Sequence, residues 1–174
     1  FSLGGGGNEN SASSIVSWNW KAGGSASSNS NGNITSSVSA NTTAGFSIVS
    51  WTGDNSGSAT IGHGLSGVDV VIIKNRADAT NWGVKHRSMT SGHMAVLNGG
   101  DPSSDRNGST NGGIGNLSAS GNTFGFIGGS AGVPEVNGSS DSMIAYCFKE
   151  VKGYSKFNSY VANGDASGGF VYTG

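Results

Sequence analysis

The sequence predicts an all-β fold: an antiparallel β-sandwich of jelly-roll or concanavalin-like type, with Gly-, Ser- and Asn-rich loops and no significant helix. Gly supplies 32 of the 174 residues, and Ser and Asn are also abundant. All three disfavour helix interiors because they add backbone entropy or compete for backbone hydrogen bonds. The chain also contains 4 Trp, 4 Tyr and 7 Phe residues, whereas disordered chains are poor in aromatic residues. Short apolar runs separated by turn-forming residues are typical of strands joined by loops.

Ten short apolar runs are predicted to form strands, and most alternate with the two-residue period of a pleated sheet. In the first run, Val16, Trp18 and Trp20 share one face. Residues 68–73 are almost continuously apolar, which predicts a central strand covered on both faces. Residues 98–122 are mostly polar and Gly-rich and are expected to form a long surface loop. The predicted strands cover residues 14–20, 34–38, 45–52, 68–75, 82–86, 93–97, 123–127, 142–148, 157–160 and 170–172.

An internal sequence repeat indicates repeated structure. Residues 14–21 read SIVSWNWK and residues 142–149 read SMIAYCFK, so that large aromatic residues align with large aromatic residues and small with small. A second pair of similar segments follows, because SWTGD at residues 50–54 resembles SYVAN at residues 159–163. Repeats at such a period are typical of arrays of similar modules.

This internal repeat predicts that the chain consists of parts of three successive repeats. Residues 1–22 are expected to supply the final strands of one repeat, and residues 23–33 a flexible linker. Residues 34–150 are predicted to form one β-sandwich repeat, and residues 151–174 the opening strands of the next. Since the first residue is Phe rather than Met, the chain is expected to be a processed product or part of a longer polypeptide.

Five segments spread over most of the chain share one further likeness. They are WNWKAGG at residues 18–24, AGFSIVSWTG at 44–53, IIKNR at 72–76, YCFKEVKGYSKF at 146–157 and GFVYTG at 169–174. In this order they resemble a repeat found in large virion-associated proteins of marine tailed bacteriophages. The resemblance implies a structural role in a tail fibre, an appendage or the capsid surface, sometimes with a concanavalin-like lectin fold, and it implies no catalytic residues.

Charge and hydropathy argue against nucleic acid and membrane as partners. The formal net charge is −1 and the nine basic residues are scattered, whereas binding to a phosphate backbone requires clustered Lys and Arg. The sequence contains no apolar run long enough to span a membrane. A single cysteine, Cys147, excludes a disulfide framework within the chain and is expected to be a buried, inert thiol.

The sequence gives no reason to assign catalytic residues or a cofactor. The spacing G-x-G-x-x-G occurs at residues 62–67, but it leads into a predicted strand, whereas a dinucleotide-binding loop must open a helix. His63, His86 and His93 lack the spacing of a metal site and are expected at the surface or at strand ends. No Ser lies in a G-x-S-x-G elbow. The chain is therefore predicted not to be an enzyme.

The carboxylates are few. Asp101 and Asp105 are the closest pair in the Gly-rich loop, where rigid placement for glycoside hydrolysis is difficult. Together with Asn oxygens they form a weak candidate for a Ca²⁺ site, and no other metal site is predicted.

Two functions remain open at this stage. The first is a structural module of a virion that assembles with copies of itself or with other virion proteins through β-strand and aromatic contacts. The second is a carbohydrate-binding sandwich for adsorption to host-surface glycans, in which Trp51 and Trp82 would stack on sugar rings. Both place the protein in a virion or outside the cell, without nucleic acid or membrane as partners. Tryptophans buried between modules would favour the first, and tryptophans exposed on a shallow groove the second.

Overall fold

In this computed structural model, the described residues are 14, 16–99, 104–105, 112–128 and 132–171. They form eleven strands and one helix of four residues. The predicted all-β fold is confirmed. In chain order the elements are β1 (Ser27–Asn29), β2 (Ser36–Asn41), β3 (Phe46–Thr52), β4 (Thr60–Gly62), β5 (Val70–Asn75), β6 (Trp82–His86), β7 (His93–Val96), β8 (Ser104–Asp105), β9 (Gly113–Ile114), β10 (Thr123–Ile127), α1 (Pro134–Asn137) and β11 (Ser142–Phe148).

The strands form two antiparallel sheets. The large sheet has the order β1-β2-β3-β11-β5-β6-β7-β8, and the small sheet has the order β4-β10-β9. The last strand of the described sequence, β11, lies in the middle of the large sheet and pairs over its full length with β3. On its other side it pairs with β5 from Met143 to Phe148. The chain therefore closes the large sheet by inserting β11 between strands formed much earlier in the sequence.

The hydrophobic core lies between the sheets. Alternate residues of the large sheet, among them Val49 and Ala145, are fully buried against Ile61 of β4 and Phe124 of β10. Trp51 packs edge-on against Phe124, with ring centroids 5.8 Å apart. The packing of two antiparallel sheets with their apolar faces together defines a β-sandwich.

The structure differs from the predicted strands at both ends. Residues 16–20 form no strand, although their sequence resembles β11. Residues 157–160 and 170–171 are also irregular, and residue 172 lies outside the described range. These segments have the alternation of strands, but no described strand pairs with them to complete a ladder of hydrogen bonds. The predicted division into parts of three repeats stays a prediction.

Two further differences concern the middle of the chain. Part of the predicted surface loop 98–122 enters the core, because β9 pairs with β10 and both Ile114 and Leu117 are buried. In addition, β5 is not buried equally on both faces, because Val71 and Ile73 are fully buried while Val70 and Ile72 are only half-buried. The outer face of the large sheet is therefore apolar yet incompletely covered.

Candidate functional site

The outer face of the large sheet carries apolar side chains where a solvated face would carry polar ones. In β11, Met143, Ala145 and Cys147 point into the core, so that Ile144, Tyr146 and Phe148 occupy the opposite face. The neighbouring strands continue this pattern. Their outer-face apolar residues are Phe46 and Ile48 of β3, Val70 and Ile72 of β5, and Trp82 and Val84 of β6.

Tyr146 lies at the centre of this face. Its direct cross-strand neighbours are Ile48 on one side and Ile72 on the other. The indole of Trp82 stacks on the Tyr146 ring, with centroids 6.4 Å apart and planes inclined by 19°. Stacked aromatic pairs add to the stability that area burial provides, so this pair stabilises the packing at the centre of the face.

One end of the face is covered by two aromatic residues from outside the strands, Trp20 before β1 and Phe157 after β11. Trp20 packs edge-on against Phe148 at a centroid distance of 5.3 Å and also contacts Phe46 at 6.0 Å. Phe157 contacts Phe148 at 5.8 Å. A turn over residues 151–155, closed by a hydrogen bond from the Tyr154 amide to the Val151 carbonyl, returns the chain to this position.

The open part of the face is a groove with a volume of about 690 Å³. We define the aromatic groove by Trp18, Trp20, Ile48, Ile72, Trp82 and Tyr146, with Leu97 and Phe148 at its margins. Among the ten described residues that line it, Asn19 is the only one with a charged or amide side chain. The groove therefore offers dispersion contacts and ring stacking, with few hydrogen-bonding groups to fix a polar ligand.

A glycine allows the strands at the covered end to approach closely. Gly45, which precedes β3, has a φ of +65°, a conformation that favours glycine. Its carbonyl accepts a hydrogen bond from the Lys149 amide, and a Cβ at this position would lie 2.4 Å from the Lys149 carbonyl oxygen. This close contact holds the beginning of β3 against the end of β11, which brings Phe46 and Phe148 together.

A buried carboxylate fixes the direction in which the chain leaves β11. Asp69 is buried, and one of its oxygens pairs with Arg87 Nε at 2.9 Å. Its other oxygen accepts a hydrogen bond from the Glu150 amide at 2.6 Å. Asp69 therefore joins the beginning of β5, the end of β6 and the end of β11, and it directs the residues that follow Glu150 toward the groove.

A buried lysine supports the strands at the other side of the large sheet. Lys85 of β6 points into the core, is fully buried, and donates hydrogen bonds from Nζ to the carbonyls of Thr90 and His93. Burial lowers the pKa of Lys85 to about 8. The alternation of Lys85 with apolar residues predicts a solvated lysine on the outer face of a strand, and this prediction is wrong because the side chain points into the core.

His63 lies at a strand end, directly after β4, which is one of the two expected positions, but its side chain is buried rather than exposed. Its Nδ1 accepts a hydrogen bond from the Leu65 amide, while its Nε2 is buried with no hydrogen-bond partner among the described residues. Burial, together with the charge of Lys149, lowers the pKa of His63 to about 4. The imidazole is therefore neutral at physiological pH, and the sequence carried no signal of its burial because no strand was predicted at residues 60–62.

Cys147 is buried in the core, as predicted. Burial raises the pKa of its thiol to about 12, against the opposing effect of a hydrogen bond with Ser47. A thiol with this pKa forms almost no thiolate near neutrality, and the thiolate is the reactive nucleophile. Cys147 consequently packs as a small apolar side chain.

The two tryptophans predicted to stack on sugars lie in different environments. Trp51 is 5% exposed, and its Nε1 donates a hydrogen bond to Asn137 Oδ1 at 2.8 Å, so the expected exposed ring is not found. Trp82 is half-buried and borders the aromatic groove, where one ring face contacts Tyr146. Trp82 is therefore the residue of the pair that remains available to a ligand.

The weak Ca²⁺ candidate falls largely outside the described residues. Asp101 is not described, and for Asp105 only the backbone in β8 is described. Within the described ranges, no three His, Cys, Asp or Glu residues are grouped as metal ligands. The same part of the chain contains no helix with the length and apolar character of a membrane span.

The fold and the groove together define the class: an all-β sandwich module whose large sheet has an apolar, partly open outer face. The chain belongs to the family described as Domain of unknown function (DUF7483), which matches residues 1–174. Comparisons with curated proteins and with solved structures gave no match.

Proposed function

We propose that this protein is a structural module of a bacteriophage virion, belonging to a tail fibre, an appendage or the capsid surface, and that it assembles through the aromatic groove. The observation that carries this proposal is the apolar outer face of the large sheet, which the described part of the chain covers at one end only. Exposed apolar patches are typical of interaction sites, and Trp18, Trp20 and Leu97 of the groove are each more than half exposed. The resemblance of residues 146–157 and 169–174 to phage repeats supports the virion assignment.

The composition of the groove favours a protein partner over a sugar. A carbohydrate site combines an aromatic platform with several polar side chains that bind hydroxyl groups, and a polar group left unpaired on binding costs affinity. Here Trp82 and Tyr146 supply a platform, but Asn19 is the only amide or charged side chain among the described lining residues. Apolar side chains of another polypeptide segment match this lining better.

Self-association tests the assembly function. Leu97 lies at the margin of the groove and is 58% exposed, so Leu97→Glu should leave the fold intact while adding a charge that binding would desolvate. We expect the substitution to weaken association at least about tenfold in sedimentation velocity experiments. Thr52→Glu is the matched control, because Thr52 is an exposed residue at the far end of β3 and does not line the groove.

Equal association of wild type and Leu97→Glu would contradict assembly through the groove. Binding of a soluble polysaccharide that is abolished by Trp82→Ala, without any effect of Leu97→Glu on association, would instead support the carbohydrate-binding function. Mass spectrometry of purified phage particles tests the virion assignment separately, and absence of the chain from such particles would contradict it.

A further inference from the structure

The C-terminal segment, which we define as residues 158–171, carries large apolar side chains that no described residue covers. Tyr160 is 71% exposed, Val161 94% and Phe170 95%. Asp165 is the only charged residue in this segment. Apolar side chains at such exposure lose the stabilisation that burial would provide.

This segment begins at the groove. Phe157 immediately precedes it and packs on Phe148, which lines the margin of the groove. On the same face, Trp20 shows that an aromatic side chain from an irregular segment is accommodated against Phe46 and Phe148. A contact between the groove and another irregular aromatic segment would extend a packing arrangement that the chain already uses.

Both surfaces expose large apolar side chains that a dimer could bury. A buried aromatic side chain contributes about 150–250 Å², so Tyr160 and Phe170 together offer roughly 300–500 Å². On the groove side, Trp18, Trp20 and Leu97 are each more than half exposed. A reciprocal exchange would use each of these surfaces twice, and specific interfaces bury about 1,200–2,000 Å² in total.

We propose that the C-terminal segment of one copy occupies the aromatic groove of a second copy, and that the exchange is reciprocal. The proposal rests on the proposed function, since it names the partner of the same groove. Both surfaces are almost without charge, so their association requires little desolvation of charged groups. A reciprocal exchange has twofold symmetry, in which each copy donates one segment and accepts one.

Mixing two variants tests the exchange. The groove variant is Leu97→Glu, and the segment variant combines Tyr160→Ser with Phe170→Ser. Each variant alone should dimerise at least about tenfold more weakly than wild type, because neither of its two contacts is intact. An equimolar mixture should form heterodimers of intermediate affinity, because the intact segment of the groove variant fits the intact groove of the segment variant. Sedimentation velocity with one variant labelled measures this directly.

Tyr154→Ser is the matched control for the segment variant. Tyr154 has the same exposed fraction as Tyr160, 71%, but precedes the C-terminal segment. It should leave dimerisation unchanged. A mixture that associates no better than either variant would overturn the exchange, as would a wild-type monomer whose segment is protected from hydrogen exchange.

The same variants separate the two proposals. If Leu97→Glu weakens association and the segment variant does not, the exchange is wrong while assembly through the groove stands. If neither variant weakens association, assembly through the groove is wrong as well.

Discussion

His63 is buried completely, an environment that is uncommon for a histidine. Its imidazole is fully buried between the sheets, with Nδ1 hydrogen-bonded to the Leu65 amide and Nε2 without a described partner. The side chain therefore enters the folded protein as a neutral group. Protonation would place a charge where the described residues provide no acceptor for it, which couples the stability of the fold to pH.

We expect the protein to lose stability on mild acidification through His63. The pKa is lowered to about 4 in the folded protein from 6.5, so the unfolded chain binds a proton first as pH falls. Stability contributed by the neutral imidazole is complete above pH 6.5 and is lost progressively toward pH 4. At about pH 4.6, the loss in the free energy of unfolding should reach about 2–3 kcal/mol. Urea unfolding of wild type and His63→Gln at a series of pH values measures it.

The His63→Gln variant should show a shallower decline than wild type over the same window, since the remaining decline comes from other titrating groups. Identical pH dependence of the two proteins would contradict the assignment to His63. The variant's stability at neutral pH is not decisive, because glutamine changes both shape and hydrogen bonding.

Trp51 gives a second prediction at the scale of one residue. Its ring packs against Phe124 and Phe126, and its indole N–H donates to the buried Asn137. Trp51→Phe removes the donor and leaves a small cavity, so it should lower the free energy of unfolding by about 2–3 kcal/mol. Trp82→Phe is the control and should cost about 1 kcal/mol or less, because Trp82 is only half-buried. Equal costs in denaturant unfolding would contradict this account.

The two copies of the internal repeat, residues 14–21 and 142–149, show that similar local sequences can have different structures. Residues 142–148 form the central strand β11, paired on both sides, whereas the similar residues 16–20 form no strand and leave Trp18 74% exposed. Val16, Trp18 and Trp20 align in sequence with Ile144, Tyr146 and Phe148, but they do not take equivalent positions in a sheet. Strand formation depends on partners for the backbone groups, and these partners are provided by other elements.

Substitution of aligned residues in the two copies should therefore have unequal effects. Tyr146→Ala removes a half-buried ring from between β3 and β5, together with its stacking on Trp82, and should cost about 2–4 kcal/mol. Trp18→Ala should cost less than about 1 kcal/mol, because surface substitutions away from packed features have small effects. Thermal or denaturant unfolding compares the two, and a larger cost for Trp18→Ala would contradict the exposed position of the first copy.

At the scale of the molecule, the apolar outer face determines what kind of association is expected. The residues of the aromatic groove are almost all apolar, and the C-terminal segment carries a single charged residue. Self-association should thus be accompanied by a negative change in heat capacity, the signature of apolar burial. It should also depend only weakly on salt, since screening acts on charged groups.

Dilution calorimetry at several temperatures measures the heat capacity change, and sedimentation at low and high salt measures the salt dependence of self-association. Association that weakens steeply with salt would contradict an apolar interface. The Thr52→Glu variant provides the control for nonspecific effects of added charge.

Much of the fold could be predicted from local pattern. The bounds of β6, β10 and β11 were predicted to the residue, because each alternates clearly and is flanked by turn-forming residues. β1 was missed because Ser27–Asn29 contains no apolar residue and is held by backbone pairing with β2. β9 was missed because its two residues lie in a Gly-rich stretch that local composition marks as a loop.

The sequence by itself determined the all-β class, the positions of the central strands and the burial of Cys147, since each follows from composition and two-residue alternation within a short segment. Tertiary structure alone decided that Trp51 lies in the core while Trp82 borders a groove, and that Lys85 and His63 are buried. Alternation shows which residues share a face of a strand, but it cannot show which face the second sheet covers. That choice depends on contacts between segments far apart in the chain, and it created the aromatic groove.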